Sequence, residues 1–247
     1  MNKINKTVCV PSSLLTMGKK KTEEICRLVD AGELNLSFKK EVYAAEDVKK
    51  QLKEDQHKKC AYCERFLNGD YGSVEHFRPK GGYVGGKNKV LHKPGYYWLT
   101  YCWENLLFSC SECNTSYKRN LFPLVDETKR NISARDITQE TPILINPATE
   151  DVGCYFEFAR YYLVAKKRDD DIRSKGTITL LKLNERSDLV QRRRQCWEKY
   201  EEICNIREIA NADKEMEIVA ICDSEIEKIT GEDAEFTGMF KYQFRKI

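Results

Sequence analysis

CAYCERFLNGDYGSVEHF, residues 60–77, and YYWLTYCWENLLFSCSECNTSYK, residues 96–118, decide how this chain of 247 residues is read. Each half carries a Cys-x-x-Cys pair, Cys60/Cys63 and Cys110/Cys113. Such a pair presents two sulfurs to one ion from a tight turn, and two pairs supply the four thiolates that Zn²⁺ takes tetrahedrally at about 2.3 Å. The gap between the pairs is longer than a minimal zinc ribbon has, so a small subdomain lies between two knuckles. Four cysteines leave no open position on the ion, which makes this zinc structural, a clamp on the ends of the insert. A redox Cys-x-x-Cys or plain core thiols would be the other uses of these residues.

Working outward, the remaining seven of the eleven cysteines are scattered. The opening MNKINKTVCVPSSLLTMGKKK has no apolar run long enough for a secretory signal. No window approaches the length of a membrane span. A reducing cytoplasm is therefore the expected location. Charged residues make up 33% and hydrophobic ones 41% of the chain, which excludes a disordered or membrane-embedded protein. A net charge of +3 does not by itself call for nucleic acid, so any such case rests on local charge.

Three segments are expected: residues 1–59, an N-terminal basic arm and helices; 60–123, the cysteine-bounded core; and 124–247, a connecting segment and a mostly helical C-terminal part. TEEICRLVDAG reads as a helix with Thr22 as N-cap and Gly32 as stop, and residues 44–58 as a charged helix leading to Cys60. NGDYG at 68–72 carries turn signals, and residues 73–77 alternate as a strand. Residues 81–95, rich in glycine and lysine, are expected to be a mobile loop. The aromatic stretch 96–108 belongs in the core. Residues 155–167 read as a strand pair. Helices fit residues from 176 on, 187–210, 213–229 and 234–245 by apolar spacing.

The chemistry is sought between and beside the knuckles. Glu75 and His76 are adjacent on the expected strand; the carboxylate suits a hard cation and the imidazole a proton transfer. His76 is one of only three histidines. Asn114, directly after Cys113, is a helix N-cap or, with Glu75, a second ligand of a Mg²⁺ ion that keeps several waters. Lys118 follows one turn later. Asn105 is expected to tether the loop that orients His76. Lys118, Arg78, Lys80, Lys87, Lys89 and Lys93 are candidates for phosphate contacts or are plain solvated surface.

In this order, Cys-x-x-Cys, Glu-His, Asn-Leu, Cys-x-x-Cys-Asn and a nearby Lys, the residues resemble the HNH nucleases. The phrases CAYCE, VEHFRPK and YYWLTYCWENLLFSCSECN narrow this to a likeness to the PtuB-type HNH proteins of Septu and some retron antiphage systems. The resemblance spans residues 60–123, with an echo to about residue 194. It implies an α+β fold: a ββα-metal core with a four-cysteine zinc clamp, embedded in a mostly helical protein. It implies a catalytic Mg²⁺ on Glu75 and Asn114, with His76 as general base, Asn105 as orienting residue and Lys118 beside them. It implies a PtuA-like ATPase of the ABC/AAA type as partner, and in a retron setting a reverse transcriptase with its DNA–RNA product. The third position is Asn114 where the family name has His; an amide is the weaker ligand, which favours Mg²⁺ over a transition metal. DNA and RNA such as tRNA remain open as substrates, because a phosphate-centred site sees both. The other class in play is a non-catalytic zinc-bearing module that binds nucleic acid or a partner.

Overall fold

The computed structural model describes residues 1–67, 72–86, 89–166 and 172–243. Three helices lead in: α1 (Lys19–Asp30), α2 (Lys40–Tyr43) and α3 (Glu46–Asp55). Six short strands follow: β1 (Gly72–His76), β2 (Tyr83–Val84), β3 (Leu91–His92), β4 (Leu106–Cys110), β5 (Phe156–Ala159) and β6 (Tyr162–Ala165). The chain then runs through α4 (Ile172–Leu180), α5 (Ser187–Ala212), α6 (Met216–Thr230) and α7 (Thr237–Lys241). The strands form three antiparallel pairs, β1–β4, β2–β3 and β5–β6. This is a mixed α+β fold around a four-cysteine cluster. No helix among the described residues is long and apolar enough to cross a membrane.

The pair β1–β4 is the frame of the site. Its register sets Gly72 opposite Cys110, Glu75 opposite Leu107 and His76 opposite Leu106. All five residues of β4 are buried, since apolar side chains stand on both of its faces. Just C-terminal of α3, the Gln56 side chain serves as a short extra rung: its Oε1 accepts from Phe108 N at 2.8 Å and its Nε2 donates to Phe108 O at 2.7 Å. Ala61 N donates to the same carbonyl at 3.0 Å, so α3, the first knuckle and β4 meet at one residue. A wide helical turn, Glu112–Lys118, continues directly from β4.

Around this frame the apolar side chains join in one core that draws on every part of the chain, from Met1 and Val48 through Tyr62 and Phe108 to Phe156 and Leu189. Of the aromatic stretch, Tyr96, Tyr97, Tyr101, Trp103 and Phe108 are buried as expected. Tyr96 and Phe77 each pack edge-on against Phe122, with centroids 5.4 Å and 5.3 Å apart. Burying one such ring contributes roughly 1.5–3 kcal/mol. The expected strand pair in 155–167 is β5–β6, and the expected long helices are α5 and α6. Trp197 of α5 stacks on Phe240 of α7, centroids 6.0 Å apart, and Val219 and Cys222 are the buried face of α6.

Four local expectations change. The basic arm is docked: Met1 and Ile4 are buried, and Trp103 Nε1 donates to Thr7 O at 3.1 Å. Thr22 is not an N-cap; α1 begins three residues earlier, and the Thr22 hydroxyl donates to Gly18 O inside the helix. The loop 81–95 holds the β2–β3 hairpin, because Val84 N donates to Asn120 O at 2.7 Å and Val84 O accepts from Phe122 N at 2.8 Å. Asn114 is not an N-cap either: it lies inside the helical turn, whose capping position is Ser111. The turn signal at 68–71 lies outside the described residues.

Candidate functional site

The four knuckle sulfurs converge. Cys60, Cys63, Cys110 and Cys113 are buried, and their Sγ atoms all lie within 4.8 Å of one another. Cys63 Sγ and Cys110 Sγ are 3.8 Å apart, close to the roughly 3.8 Å edge of a tetrahedron with Zn–S bonds of about 2.3 Å. None of the four is in a disulfide. Backbone amides point at the sulfurs, Cys110 N at Cys60 Sγ and Cys113 N at Cys110 Sγ, both at 3.4 Å. Arg186 Nη1 donates to Cys113 Sγ at 3.2 Å. N–H groups aimed at sulfur favour the thiolate that a metal needs. The cluster can hold a zinc ion, and all four donors are internal, as befits a structural centre.

Beside the clamp, β1 and the helical turn carry the polar residues. A cleft of about 520 Å³ is lined by Glu75, His76, Lys80, Lys93, Asn114 and Arg119, among others. His76 is buried at the end of β1, with its ring edge against Tyr43 at a centroid distance of 4.7 Å. Its Nε2 lies 3.0 Å from Thr100 O. A carbonyl only accepts, so Nε2 carries the proton and Nδ1 keeps its lone pair. Nδ1 faces Lys80 Nζ at 3.4 Å. Burial, with Lys80 beside it, holds the imidazole well below its ordinary value, so His76 is neutral near neutral pH.

Glu75 is 4% exposed, and Lys118 Nζ lies 2.5 Å from its Oε1. That contact is a buried ion pair. Burial raises the Glu75 carboxyl above its ordinary value, against the pull of Lys118 and Lys80. Lys118 is itself buried and donates to His76 O at 2.9 Å. It fastens the helical turn under β1 and does not line the cleft. Asn114 donates from Nδ2 to Ser73 Oγ at 2.9 Å, which leaves its Oδ1 without a donor among the described residues.

Asn105 works one layer back. Its Oδ1 accepts from Arg78 N at 2.8 Å, and its Nδ2 donates to Arg78 O and to Leu99 O, both at 3.1 Å. One amide thus brackets the residue two places after His76. The Arg78 guanidinium is turned away from the His76 cleft: it pairs with Glu140 and lies over the Tyr96 and Phe122 rings, each 5.2 Å from its Cζ. Lys89 is exposed beyond the cleft lining, and Lys87 lies outside the described residues. Sequence reasoning passed over Arg119, Tyr43 and Thr100. Arg119 adjoins Lys118 in a basic SYKRN run that could have flagged it; nothing local marked Thr100 or Tyr43.

The fold and the cysteines define an α+β protein with a zinc-type four-cysteine centre and, next to it, a histidine-bearing cleft walled by cations. Against known proteins, the chain is 41% identical over 122 residues to the Septu protein PtuB of Bacillus mycoides, a match that covers 49% of this chain and 41% of that relative. The matched half is similar to PtuB, and the match spans about two-fifths of that relative's length. No protein-family model matches the chain.

Proposed function

We propose that the protein is a metal-dependent nuclease of the HNH kind, hydrolysing phosphodiester bonds of nucleic acid, and the effector of a Septu-type antiphage defence complex. The supporting observation is the single cleft that gathers a neutral, tautomer-fixed His76, the Glu75 carboxylate and the free oxygen of Asn114, rimmed by Lys80, Lys93 and Arg119. The β1–β4 pair and the helical turn then serve as a ββα core.

His76 Nδ1 takes the proton from the attacking water, and the Nε2–H bond to Thr100 holds the ring as it gains charge. Lys93 and Arg119 contact phosphate oxygens and place the scissile bond. Burial, and then Lys80 beside it, keep the imidazole deprotonated and so able to take that proton. The Glu75 carboxylate, which lines the cleft with one oxygen held by Lys118, and Asn114 Oδ1 are the residues that would hold a hard cation taking few protein ligands. A Mg²⁺ ion bound there would offset charge on the phosphate and on the leaving 3′-oxygen. The likeness to a Septu protein supports an ATPase of the PtuA type as partner.

The test is cleavage of DNA and of RNA in Mg²⁺, with and without a PtuA-type ATPase, by the parent and by His76→Ala. Loss of a general base costs about 10²- to 10⁴-fold. A His76→Ala protein that cuts as fast as the parent refutes the assignment. A parent that never cuts, even with its partner, leaves the binding-module reading in its place. The preferred polymer decides between DNA and structured RNA.

A further inference from the structure

Two arginines of α5 are buried, and the first of them, Arg186, lies against the four-cysteine cluster. Arg186 sits at the capping position of α5, 4% exposed. Its Nη1 donates to Cys113 Sγ at 3.2 Å, its Nη2 pairs with Glu112, and its Cζ lies 5.3 Å from the Tyr117 ring centroid. Its Nε is buried without a partner. Arg193, two turns on, is 1% exposed and makes one hydrogen bond, from Nη1 to Leu183 O at 2.8 Å. Its Nε and Nη2 have none. Its Cζ lies 5.6 Å and 5.8 Å from the Phe158 and Phe236 ring centroids. Glu112 is shared: Arg65, just after the first knuckle, also pairs with it at 3.2 Å and with Asp188 of α5.

A neutral Cys113 thiol would leave the buried Arg186 guanidinium with only Glu112, which it shares with Arg65, as negative partner. Four thiolates around a divalent ion carry a net charge of −2, which a guanidinium donating to one of the sulfurs offsets in part. We infer that Arg186 is a counter-charge of a metal–tetrathiolate centre, and that the metal fastens the first turns of α5 to the knuckles as well as one knuckle to the other. The inference rests on the zinc reading of the cysteines. Its consequence is linkage: whatever removes the metal also unseats the N-terminal part of α5, whose Arg186 is 73 residues from Cys113 in sequence.

The experiment uses the full chain. Zinc content is measured, then the rate of zinc release to a chromogenic chelator is compared for the parent, Arg186→Gln and Arg194→Gln, and amide exchange is followed in the stripped parent. Arg186→Gln is expected to weaken zinc retention about ten- to a hundredfold, the scale of losing an outer partner of a metal ligand. Arg194→Gln removes a guanidinium from the exposed side of the same helix, where it pairs with Glu198, so its release matches the parent's. Stripping is expected to raise exchange in residues 187–197 while residues 203–210 of the same helix keep their protection. A zinc-bearing parent whose Arg186→Gln variant releases at the parental rate overturns the inference alone, as does equal acceleration by Arg194→Gln, which would mark a general effect of lost charge. Should Arg186→Gln fail to fold, the exchange pattern decides: a rise confined to the knuckles overturns it. A parent that carries no metal overturns the zinc reading and this inference together.

Discussion

Replacing Lys118 by methionine is a sharp probe of the cleft, because it keeps the volume and removes the charge from under Glu75. Lys118 and Glu75 are both buried, 2.5 Å apart. Removing one partner of such a pair strands the other charge, at a cost of about 3–5 kcal/mol. The lost hydrogen bond to His76 O adds about 1 kcal/mol. The first part depends on pH. Burial already lifts the Glu75 carboxyl above its ordinary value, against Lys118 and Lys80. A carboxyl raised in the folded state holds its proton more tightly there, so the stability linked to it is full below the unfolded value and is lost as pH rises through the folded one. Without Lys118 the folded value climbs further. Urea unfolding of the zinc-loaded protein should therefore show Lys118→Met less stable by about 4–6 kcal/mol near pH 8, the sum of the two contributions. As pH falls and Glu75 takes up its proton, the difference should shrink toward about 1 kcal/mol. A difference that does not shrink as pH falls, or is absent at pH 8, refutes the buried-pair reasoning.

The acid limb of the proposed cleavage activity should fall well below the ordinary histidine value, since His76 is held low by burial and then Lys80; Lys80→Met should move that limb to higher pH in a pH–rate profile. Asn105→Ala deletes all three hydrogen bonds that bracket Arg78 and Leu99, and should lower unfolding stability by about 2–4 kcal/mol in denaturant melts. Gly72→Ala drives a Cβ into the Phe108 ring and to 2.9 Å from Leu67 Cδ1, and should cost about 1–3 kcal/mol, read as a lowered melting temperature.

Regular spacing made much of this fold legible in the sequence. Paired cysteines three residues apart, the alternation at 73–77 and the helical periods of α5 and α6 are local patterns, and each appears where its pattern put it. What escaped depends on contacts between distant residues. Thr22 has the chemistry of a cap, but the helical turn at Leu14–Gly18, packed close against Tyr101, starts the helix before it. The glycine-rich loop gained a hairpin because Val84 pairs with Asn120 and Phe122, some 36 residues on. Lysines were the least legible of all: Lys80 and Lys118 look alike on paper, yet one lines the cleft and the other is sealed beneath it. The backbone bonds of Asn105 were open to reading, because an amide in a turn has few other uses; the place of Arg78 was not, since its buried acid, Glu140, lies 62 residues away.

Gln56 carries a last consequence. By pairing with both the N–H and the carbonyl of Phe108, its amide stands where the next strand of a sheet would stand. The open side of β4 is thereby stoppered at its midpoint. A foreign strand cannot zip onto that edge without first extracting a buried side chain, so two-stranded pairing is self-limiting there, and the narrow sheet that frames the cleft is guarded against growing into an aggregate.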